Sequence, residues 1–252
     1  MYSFYLTVDK RIDSAISKRK FGKGEGMPNI KKISLLSVLT LVFFICGVLD
    51  VSAATGKHII VIDPAHGGDD AGVKLTEKVD EKDITLAVAL ALRKELAEEK
   101  KVEIILTRDA DKDVSLEDRK NNITKIKPNF VLSLHTNSGF GKNASGFELY
   151  CPEFDKRKKT TKDGAAQDSN KYLNDSVRMA RIIQENFHTL FPRKGRGLRR
   201  ADYPATENLL VPVVVVEIGF ATNPEDRNKL LSPHTQTEIA KALAKSIKIF
   251  FR

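Results

Sequence analysis

Cysteine is nearly absent from this 252-residue sequence, which contains only Cys46 and Cys151. Cys46 lies within an apolar run, residues 33–49, that we expect to be removed from the mature chain. Cys151 would then have no partner, which excludes an internal disulfide. Because no base lies near Cys151 in the sequence, we interpret this cysteine as structural rather than nucleophilic.

A strong excess of one charge is also missing from the main part of the chain. The formal net charge is +9, but residues 55–252 contain 34 Lys and Arg against 29 Asp and Glu, a net of +5. A basic surface favours anionic partners, yet this excess is too small to indicate nucleic-acid binding, and we predict no nucleic-acid partner. The 41% hydrophobic and 30% charged residues are typical of a globular domain and exclude a disordered chain.

The N-terminal region has the features of a secretory signal. Basic residues at 31–32 precede the apolar run 33–49, and residues 51–54 place small side chains at positions −3 and −1 of a cleavage site after Ala54. This order predicts export to the periplasm, the cell envelope or the medium. The alternative is an uncleaved membrane anchor, because the apolar run approaches the length of a spanning helix. We expect the chain to meet the membrane through this segment alone.

These features divide the chain into three parts. We predict a signal peptide over residues 27–54 and a single catalytic domain over residues 55–252. Residues 1–26 are polar and would make the signal unusually long, so we interpret them as an extra segment before a true start at Met27.

Hydrophobic periodicity predicts strands and helices in alternation, with no internal repeat. Apolar runs predict strands over residues 57–63, 102–107, 130–135, 146–150 and 211–217. Apolar residues at helical spacing predict helices over residues 81–99, 116–125, 175–190 and 235–250. Alternation of this kind indicates one α/β domain.

Residues 152–174 have a different composition from the rest of the domain. They are rich in Lys, Asp, Thr, Gly and Asn and contain few apolar residues. We predict a long exposed loop here, and loops of that length in compact domains are usually functional or disordered.

Four polar residues stand at the ends of predicted elements, where sites form in α/β sheets. His66 follows the first strand and His135 ends the third. Glu217 ends a strand that is almost purely valine, and Glu81 opens the first helix. Two imidazoles and a carboxylate form a catalytic zinc set that leaves a fourth position for water, and a second carboxylate nearby could act as general base.

Each of these residues also has a simpler explanation. A single histidine after a strand is more often a capping or core residue than a ligand, and Glu81 could serve as a helix N-terminal acid. Glu217 is harder to explain structurally, because an acid in a buried strand is costly unless it is paired or functional. Spacing alone therefore leaves the metal site open.

Residues 57–251 resemble the zinc-dependent N-acetylmuramoyl-L-alanine amidase family (amidase type 3). The resemblance follows the family's order and gaps in seven blocks: Ile-Asp-Pro-Ala-His-Gly-Gly (62–68), Glu-Lys-Asp-Ile-Thr-Leu (81–86), Leu-Thr-Arg (106–108), Val-Ser-Leu-Glu-Asp-Arg (114–119), Ser-Leu-His-Thr-Asn (133–137), Gly-Phe-Glu (146–148) and Val-Glu-Ile-Gly-Phe-Ala-Thr-Asn (216–223).

The resemblance implies a fold, a reaction and a site. The fold would be a single α/β domain with a mixed, roughly six-stranded sheet flanked by helices, of the zinc amidase or phosphorylase/hydrolase-like type. The reaction would be hydrolysis of the amide between N-acetylmuramic acid and L-alanine in peptidoglycan. The family's Zn²⁺ ligands fall on His66, Glu81 and His135, and its catalytic glutamate falls on Glu217. Supporting or substrate-contacting roles are expected for Asn137, Arg108 and Arg119, although Arg119 could equally be a salt-bridge residue.

Two departures from the family pattern affect these expectations. Ala65 stands where the family usually has glycine, which matters only if the backbone there needs a positive φ. Residues 209–212 form an altered approach to the last strand, which puts substrate contacts there in doubt.

Other functions and partners are left open by the sequence. Rival readings are another zinc peptidoglycan hydrolase that cuts within the peptide stem, a non-catalytic wall-binding protein on the same fold, and a membrane-anchored adaptor. We expect peptidoglycan as the substrate and a monomeric chain, and the resemblance leaves room for a protein activator.

Overall fold

The computed structural model describes residues 56–152, 164–192 and 194–252, with the backbone alone for residues 164–169. The start at Met27, the signal peptide and its cleavage after Ala54 lie outside the described residues and stay predictions. Within the described part, no helix has both the length and the apolarity needed to cross a bilayer.

Six strands form one mixed sheet in the order β2-β1-β3-β6-β4-β5. Strands β2, β1, β3 and β6 are mutually parallel, whereas β4 is antiparallel to β6 and parallel to the edge strand β5. The strands are β1 (His58–Pro64), β2 (Val102–Leu106), β3 (Phe130–Asn137), β4 (Phe147–Cys151), β5 (Gly195–Arg200) and β6 (Val213–Phe220). This arrangement confirms the predicted single α/β domain with a mixed six-stranded sheet.

Five helices accompany the sheet in the described residues. They are α1 (Glu81–Glu95), α2 (Leu116–Ile126), α3 (Gly164–Phe187), α4 (Pro224–Leu230) and α5 (Pro233–Phe250). Several begin at sequence signals: Ser232 caps α5 by accepting the Thr235 N–H, and Pro233 supplies the fixed φ of a first helical residue. Asn223 caps α4 in the same way, since its side chain accepts the N–H groups of Glu225 and Asp226.

The two faces of the sheet are covered unequally. Alternate residues of β1, β3, β4 and β6 point to one face and pack with α1, α3 and α5 into the main core, which includes Ile62, Leu134 and Val216. The opposite face has a smaller core in which Val61, Val131 and Val213 meet Ile123 of α2 together with Leu209 and Val211. Residues 209 and 211, whose role the sequence left in doubt, are therefore packing residues.

The predicted loop over residues 152–174 is wrong in its second half. Helix α3 begins at Gly164, so residues 164–174 are helical and extend the predicted helix of residues 175–190 toward the N-terminus. The pattern failed here because the first turns of α3 have polar residues where an amphipathic helix would show apolar ones. Residues 153–163 lie outside the described part of the chain.

Two further elements were not predicted. Strand β5 reads Gly-Arg-Gly-Leu-Arg-Arg, and its charge and glycine content hide it from a hydrophobic pattern. Helix α4 has seven residues, too few for a periodicity to be read. Cys151 is fully buried, and burial raises the pKa of its thiol to about 12, which agrees with a structural role.

Candidate metal centre

Sheet register places the polar strand residues next to each other. His135 of β3 pairs with Glu217 of β6, and Glu217 in turn pairs with Glu148 of β4. Directly paired residues have their side chains on the same face of the sheet. The carboxyl ends of β1 and β3 are adjacent as well, since Pro64 pairs with Leu134. The turn after β1 therefore lies beside His135.

His66 lies in a turn that needs unusual backbone angles. The φ values are 61° at His66, 133° at Gly67 and 62° at Gly68, and a residue other than glycine is strained in that region. Ala65 is not one of the positive-φ residues of the described chain, so its extra methyl group relative to glycine causes no strain. The departure from the family pattern at this position has no backbone consequence.

Two buried arginines hold this turn by its carbonyl groups. Arg108 donates from Nε to the Pro64 carbonyl (3.0 Å) and from an Nη to the Ala65 carbonyl (2.8 Å). Arg119 donates to the carbonyl oxygens of Pro64 and His66. Arg108 and Arg119 thus fix the backbone that carries His66, and neither side chain reaches the imidazole itself.

Arg119 also forms a buried ion pair with Asp63 at the end of β1. Arg119 Nη1 lies 2.7 Å from Asp63 Oδ1, and the two side chains are 3% and 1% exposed. Burial by itself raises the pKa of Asp63, but Arg119 and the hydroxyl of Thr107 outweigh it and hold the pKa below its usual range. Arg119 therefore has the salt bridge that the sequence left open, together with its hydrogen bonds to the turn that carries His66.

His66, Glu81 and His135 form a compact cluster. Glu81 Oε2 lies 3.2 Å from His66 Nε2, and Glu81 Oε1 lies 3.2 Å from His135 Nδ1. One potential ligand atom from each residue lies within 4.8 Å of the other two. Gly72 packs so closely here that a Cβ would lie 2.7 Å from Glu81 Oε2. The three side chains come from the turn after β1, from α1 and from β3.

Glu81 takes no part in capping its helix, because Asp80 is the N-cap and Asp83 completes a capping box. The carboxylate of Asp83 accepts the Asp80 N–H (2.9 Å) at the start of α1. Glu81 is 2% exposed, and its oxygens accept the N–H groups of Thr136 (2.9 Å) and Val73 (3.0 Å). Burial tends to raise the pKa of Glu81, but hydrogen bonds with the two histidines outweigh it and lower the pKa to about 2.

His66 has a carboxylate on its far side. Its Nδ1 lies 2.8 Å from Asp70 Oδ2, while its Nε2 faces Glu81. The hydrogen bond with Glu81 is the main reason that the pKa of His66 is raised, to about 9. A histidine that donates its other ring N–H to a carboxylate is the usual arrangement of a metal ligand.

The donor set fits a divalent metal such as Zn²⁺. Two imidazoles and one carboxylate match the three-ligand set of catalytic zinc sites. His66 Nε2 and His135 Nδ1 both face the carboxylate of Glu81, so each imidazole directs one nitrogen toward the same group. Glu81 already has both oxygens anchored by backbone N–H groups, so its orientation is fixed before any ion binds.

Glu217 lies beside this cluster and is 6% exposed. Its Oε1 accepts a hydrogen bond from the Tyr203 hydroxyl (2.8 Å), whereas its Oε2 is buried with no partner among the described residues. Burial raises the pKa of Glu217, and His135 and Tyr203 oppose that shift in part. A carboxyl group with a raised pKa is suited to accept and return a proton near neutral pH.

Glu148 organises a second polar group beside Glu217. Its Oε2 accepts hydrogen bonds from Asn137 Nδ2 and the Tyr150 hydroxyl, both at 2.7 Å. Its Oε1 pairs with Arg196 (2.6 Å) and Arg199 (3.2 Å) of β5. Burial tends to raise the pKa of Glu148, but Tyr150 and the arginines hold it below its usual range. Asn137 therefore acts on Glu148 in this structure.

A cavity of about 520 Å³ opens over the histidines. His66, His135, Asp70, Leu116 and Tyr203 are among its lining residues, and Leu116 is half exposed at its edge. A larger groove of about 870 Å³ lies at the amino ends of β1, β3 and β6 and is lined by none of the four predicted residues. We assign the candidate site to the smaller cavity because His66 and His135, two of the three clustered residues, line it.

Sequence reasoning found the cluster but missed three residues around it. Asp70 follows the glycines of the first block and could have been noticed there as an acid four residues after His66. Glu148 lies within a block that the resemblance includes, without a role being assigned. Tyr203 lies in a segment with no periodic pattern, and no sequence signal indicates it. Outside the cluster, His58 stacks on Phe251.

Comparison with known proteins identifies relatives of this chain. A family model described as N-acetylmuramoyl-L-alanine amidase matches residues 60–249. The N-acetylmuramoyl-L-alanine amidase CwlM of Bacillus licheniformis is 31% identical over 189 residues, which cover 75% of this chain and 66% of that protein. An uncharacterized cell wall amidase of Bacillus anthracis is 31% identical over 202 residues, which cover 78% of this chain and 36% of that protein.

Solved structures show the same similarity. AmiC2 of Nostoc punctiforme, an N-acetylmuramoyl-L-alanine amidase, is 29% identical with a TM-score of 0.61, and the match covers 77% of this chain and 97% of that one. The chain spans from about one third to about two thirds of the length of the two Bacillus relatives.

Proposed function

Because this chain belongs to the N-acetylmuramoyl-L-alanine amidase family, we propose that it hydrolyses the amide bond between N-acetylmuramic acid and L-alanine in peptidoglycan. The observation that carries the proposal is the cluster of His66, Glu81 and His135 with Glu217 beside it in the sheet register. Amide hydrolysis needs a nucleophilic water and a proton carrier, and this cluster offers a place for both.

We propose that His66, Glu81 and His135 hold a Zn²⁺ ion. When bound, zinc supplies a Lewis acid that lowers the pKa of water to about 7 and polarises a carbonyl group. The chain prepares for the ion in two ways. Asp70 orients His66 through Nδ1, and the N–H groups of Val73 and Thr136 orient Glu81. The arginines Arg108 and Arg119 hold the turn that carries His66.

We propose that Glu217 is the proton carrier. It would take a proton from the attacking water as the new C–O bond forms, and give it to the amide nitrogen as the C–N bond breaks. Its raised pKa supports this role, because the carboxyl group can be ionised before the attack and still hold the proton until the nitrogen leaves. The cavity over His66 and His135 supports access of a polymeric substrate from one side.

The place of action that fits this substrate is the cell envelope. The proposal combines the predicted export signal with the similarity to a Bacillus anthracis protein described as a cell wall amidase. A protein activator and a monomeric state stay predictions.

The test is product analysis with purified peptidoglycan. The protein is incubated with and without a chelator, and the soluble products are identified by mass spectrometry. We expect metal-dependent release of whole stem peptides that begin at L-alanine, and loss of release in Glu217→Gln. Glu185→Gln is the matched control, because Glu185 is an exposed glutamate on α3.

Other outcomes would identify the rival functions. Stem fragments cut between amino acids would indicate a peptidase. Co-sedimentation with peptidoglycan and no released product, with added Zn²⁺ as well as without it, would indicate a wall-binding protein. Metal content after reconstitution with Zn²⁺, Mn²⁺ or Co²⁺ would test the choice of metal, since affinity alone does not decide it.

A further inference from the structure

The two oxygens of the Glu217 carboxylate have different surroundings. Oε1 accepts a hydrogen bond from the Tyr203 hydroxyl at 2.8 Å. Oε2 is buried and has no hydrogen-bond partner among the described residues. A carboxylate usually satisfies both oxygens when it is buried. The two oxygens therefore differ: Tyr203 holds Oε1, and Oε2 keeps its capacity to accept a proton.

Tyr203 reaches Glu217 from a fixed position. Its ring centroid lies 5.3 Å from that of His135 and 5.3 Å from that of Tyr150, so aromatic rings contact it on two sides. Its carbonyl accepts the N–H groups of Thr206 (2.9 Å) and Glu207 (2.8 Å), which closes a tight turn. The entropic cost of placing this side chain has been met by these contacts before substrate arrives.

The segment that carries Tyr203 is anchored to the sheet. The Ala201 N–H donates to the Cys151 carbonyl (3.1 Å) at the end of β4, and Ala205 and Thr206 are buried. Tyr203 also lines the cavity over the candidate metal centre. One side chain thus contacts the ring of a proposed metal ligand and the carboxylate of the proposed proton carrier.

We infer that Tyr203 is a positioning residue for Glu217. Its hydroxyl holds Oε1 and so presents Oε2 as the oxygen that takes and returns the proton. This inference rests on the proposed function, because it assigns atoms within the same reaction. Tyr203 acts through Glu217 and transfers no proton itself.

The chemistry of a phenol suits this task. Burial and the adjacent Glu217 raise the pKa of Tyr203, so the hydroxyl keeps its proton and remains a donor. A neutral phenol hydroxyl holds one carboxylate oxygen and leaves the negative charge of the carboxylate in place. A cationic arginine at the same position would offset that charge. The other charged groups that face Glu217 act in opposite directions: His135 lowers its pKa, while Glu81 and Glu148 raise it.

The first test is the Tyr203→Phe variant, which keeps the ring and removes the hydroxyl. We expect kcat for release of stem peptides to fall roughly tenfold with KM unchanged within about twofold, because a hydrogen bond to a charged group is lost while the cavity wall remains. Zinc content and Tm should match the wild type. Tyr172→Phe, the same change in the groove at the opposite end of the sheet, is the control.

An unchanged kcat in Tyr203→Phe would overturn the inference. A raised KM with unchanged kcat would overturn it as well, because Tyr203 would then contact substrate and not position Glu217. If the wild-type protein released no stem peptides, the proposed function would fail separately.

A second measurement decides the inference without activity. Glutamate side chains of the zinc-loaded protein are labelled with ¹³C at Cδ, and the Glu217 signal is assigned by its loss in Glu217→Gln. We expect the pKa of Glu217 to rise in Tyr203→Phe, because a hydrogen bond to the charged form is removed. No change in this pKa would show that Tyr203 does not hold the carboxylate.

Discussion

At the scale of single residues, the orientation of the proposed ligands depends on neighbouring side chains that are not ligands themselves. Asp70 is one example, since its Oδ2 lies 2.8 Å from His66 Nδ1 and its Oδ1 accepts the Gly72 N–H at 3.2 Å. Such a partner fixes both the tautomer and the orientation of an imidazole ligand. The affinity of the site for metal should therefore depend on Asp70 even though Asp70 is not a proposed ligand.

We predict that Asp70→Ala weakens zinc binding by about 10- to 100-fold. The affinity can be measured by competition with a chromophoric chelator. Asp69→Ala, which removes an exposed neighbouring aspartate, serves as the control for charge. Equal affinity of Asp70→Ala and the wild type would show that the contact with His66 does not orient a ligand.

The buried pair of Asp63 and Arg119 predicts a pH dependence of stability. Because the folded-state pKa of Asp63 lies below its unfolded-state value, the pair stabilises the fold above about pH 4, and this contribution is lost as the pH falls through the lower folded-state pKa. We expect Asp63→Asn to lower the free energy of unfolding at pH 7 by about 3–5 kcal/mol, since it leaves a buried arginine unpaired.

Urea denaturation at several pH values would check this prediction. The difference between the wild type and Asp63→Asn should shrink at acid pH, where Asp63 is protonated in the wild type too. A difference that is constant from pH 7 to pH 3 would contradict the assigned titration.

The proposed ligands and Glu217 could be predicted at this scale because residue type and position both mark them. His66 and His135 follow apolar strands, and Glu217 is a charge within a valine run. Tyr203 could not be predicted, because its role arises from a turn that brings it over β6 and leaves no trace in a linear pattern. The contact of Arg119 with Asp63 was one of two readings, and only the packing of α2 on β1 distinguishes them.

At the scale of elements, the start of β4 requires a glycine. Gly146 has a φ of 95°, and a Cβ there would lie 1.8 Å from the carbonyl oxygen of Lys194, just before β5. The Gly146 N–H also donates to the buried Asp226 of α4 (2.7 Å). Gly146 thus packs against the main chain before β5 and is hydrogen-bonded to α4.

We predict that Gly146→Ala lowers the free energy of unfolding by at least about 3 kcal/mol, the sum of backbone strain and a clash with main chain. Gly141→Ala is a matched control, because Gly141 also has a positive φ, 73°, but a Cβ there meets nothing within 4 Å. The control should lose about 1 kcal/mol. Equal losses in thermal or urea denaturation would mean that the clash is relieved.

Elements with a strong hydrophobic period were predicted, and those without one were not. Most apolar residues are buried in the strands β1, β3 and β6 and in the helices α1 and α5. The apolar pattern of these segments therefore predicts the element and its buried face. The edge strand β5 pairs with β4, and the short helix α4 packs against β6, so both depend on neighbours. Tertiary contacts decide such segments, and local composition then predicts a loop.

At the scale of the whole molecule, a bound metal would link three separate elements. His66 follows β1, Glu81 opens α1 and His135 lies near the end of β3. A site made of all three residues would therefore exist only in the folded state. A ligand that binds only the folded state stabilises it by mass action.

We predict that Zn²⁺ at about 100 times its dissociation constant raises the free energy of unfolding by about 2.7 kcal/mol. For a domain of this size the melting temperature should rise by about 5–10 °C. Differential scanning calorimetry with and without a chelator would measure the shift. An equal shift in Glu81→Gln would place the stabilising ion elsewhere.

The valine run of β6 has a consequence for how the chain finds its correct sheet. Four identical residues, 213–216, give no hydrophobic reason to prefer one alignment with β3 over the next. A slip by one residue would turn Glu217 toward the apolar face packed by α1, α3 and α5. Burying an unpaired carboxylate there would be costly. Glu217, the proposed proton carrier, therefore also favours the correct strand alignment, because the misaligned strand that the valines alone would allow is less stable.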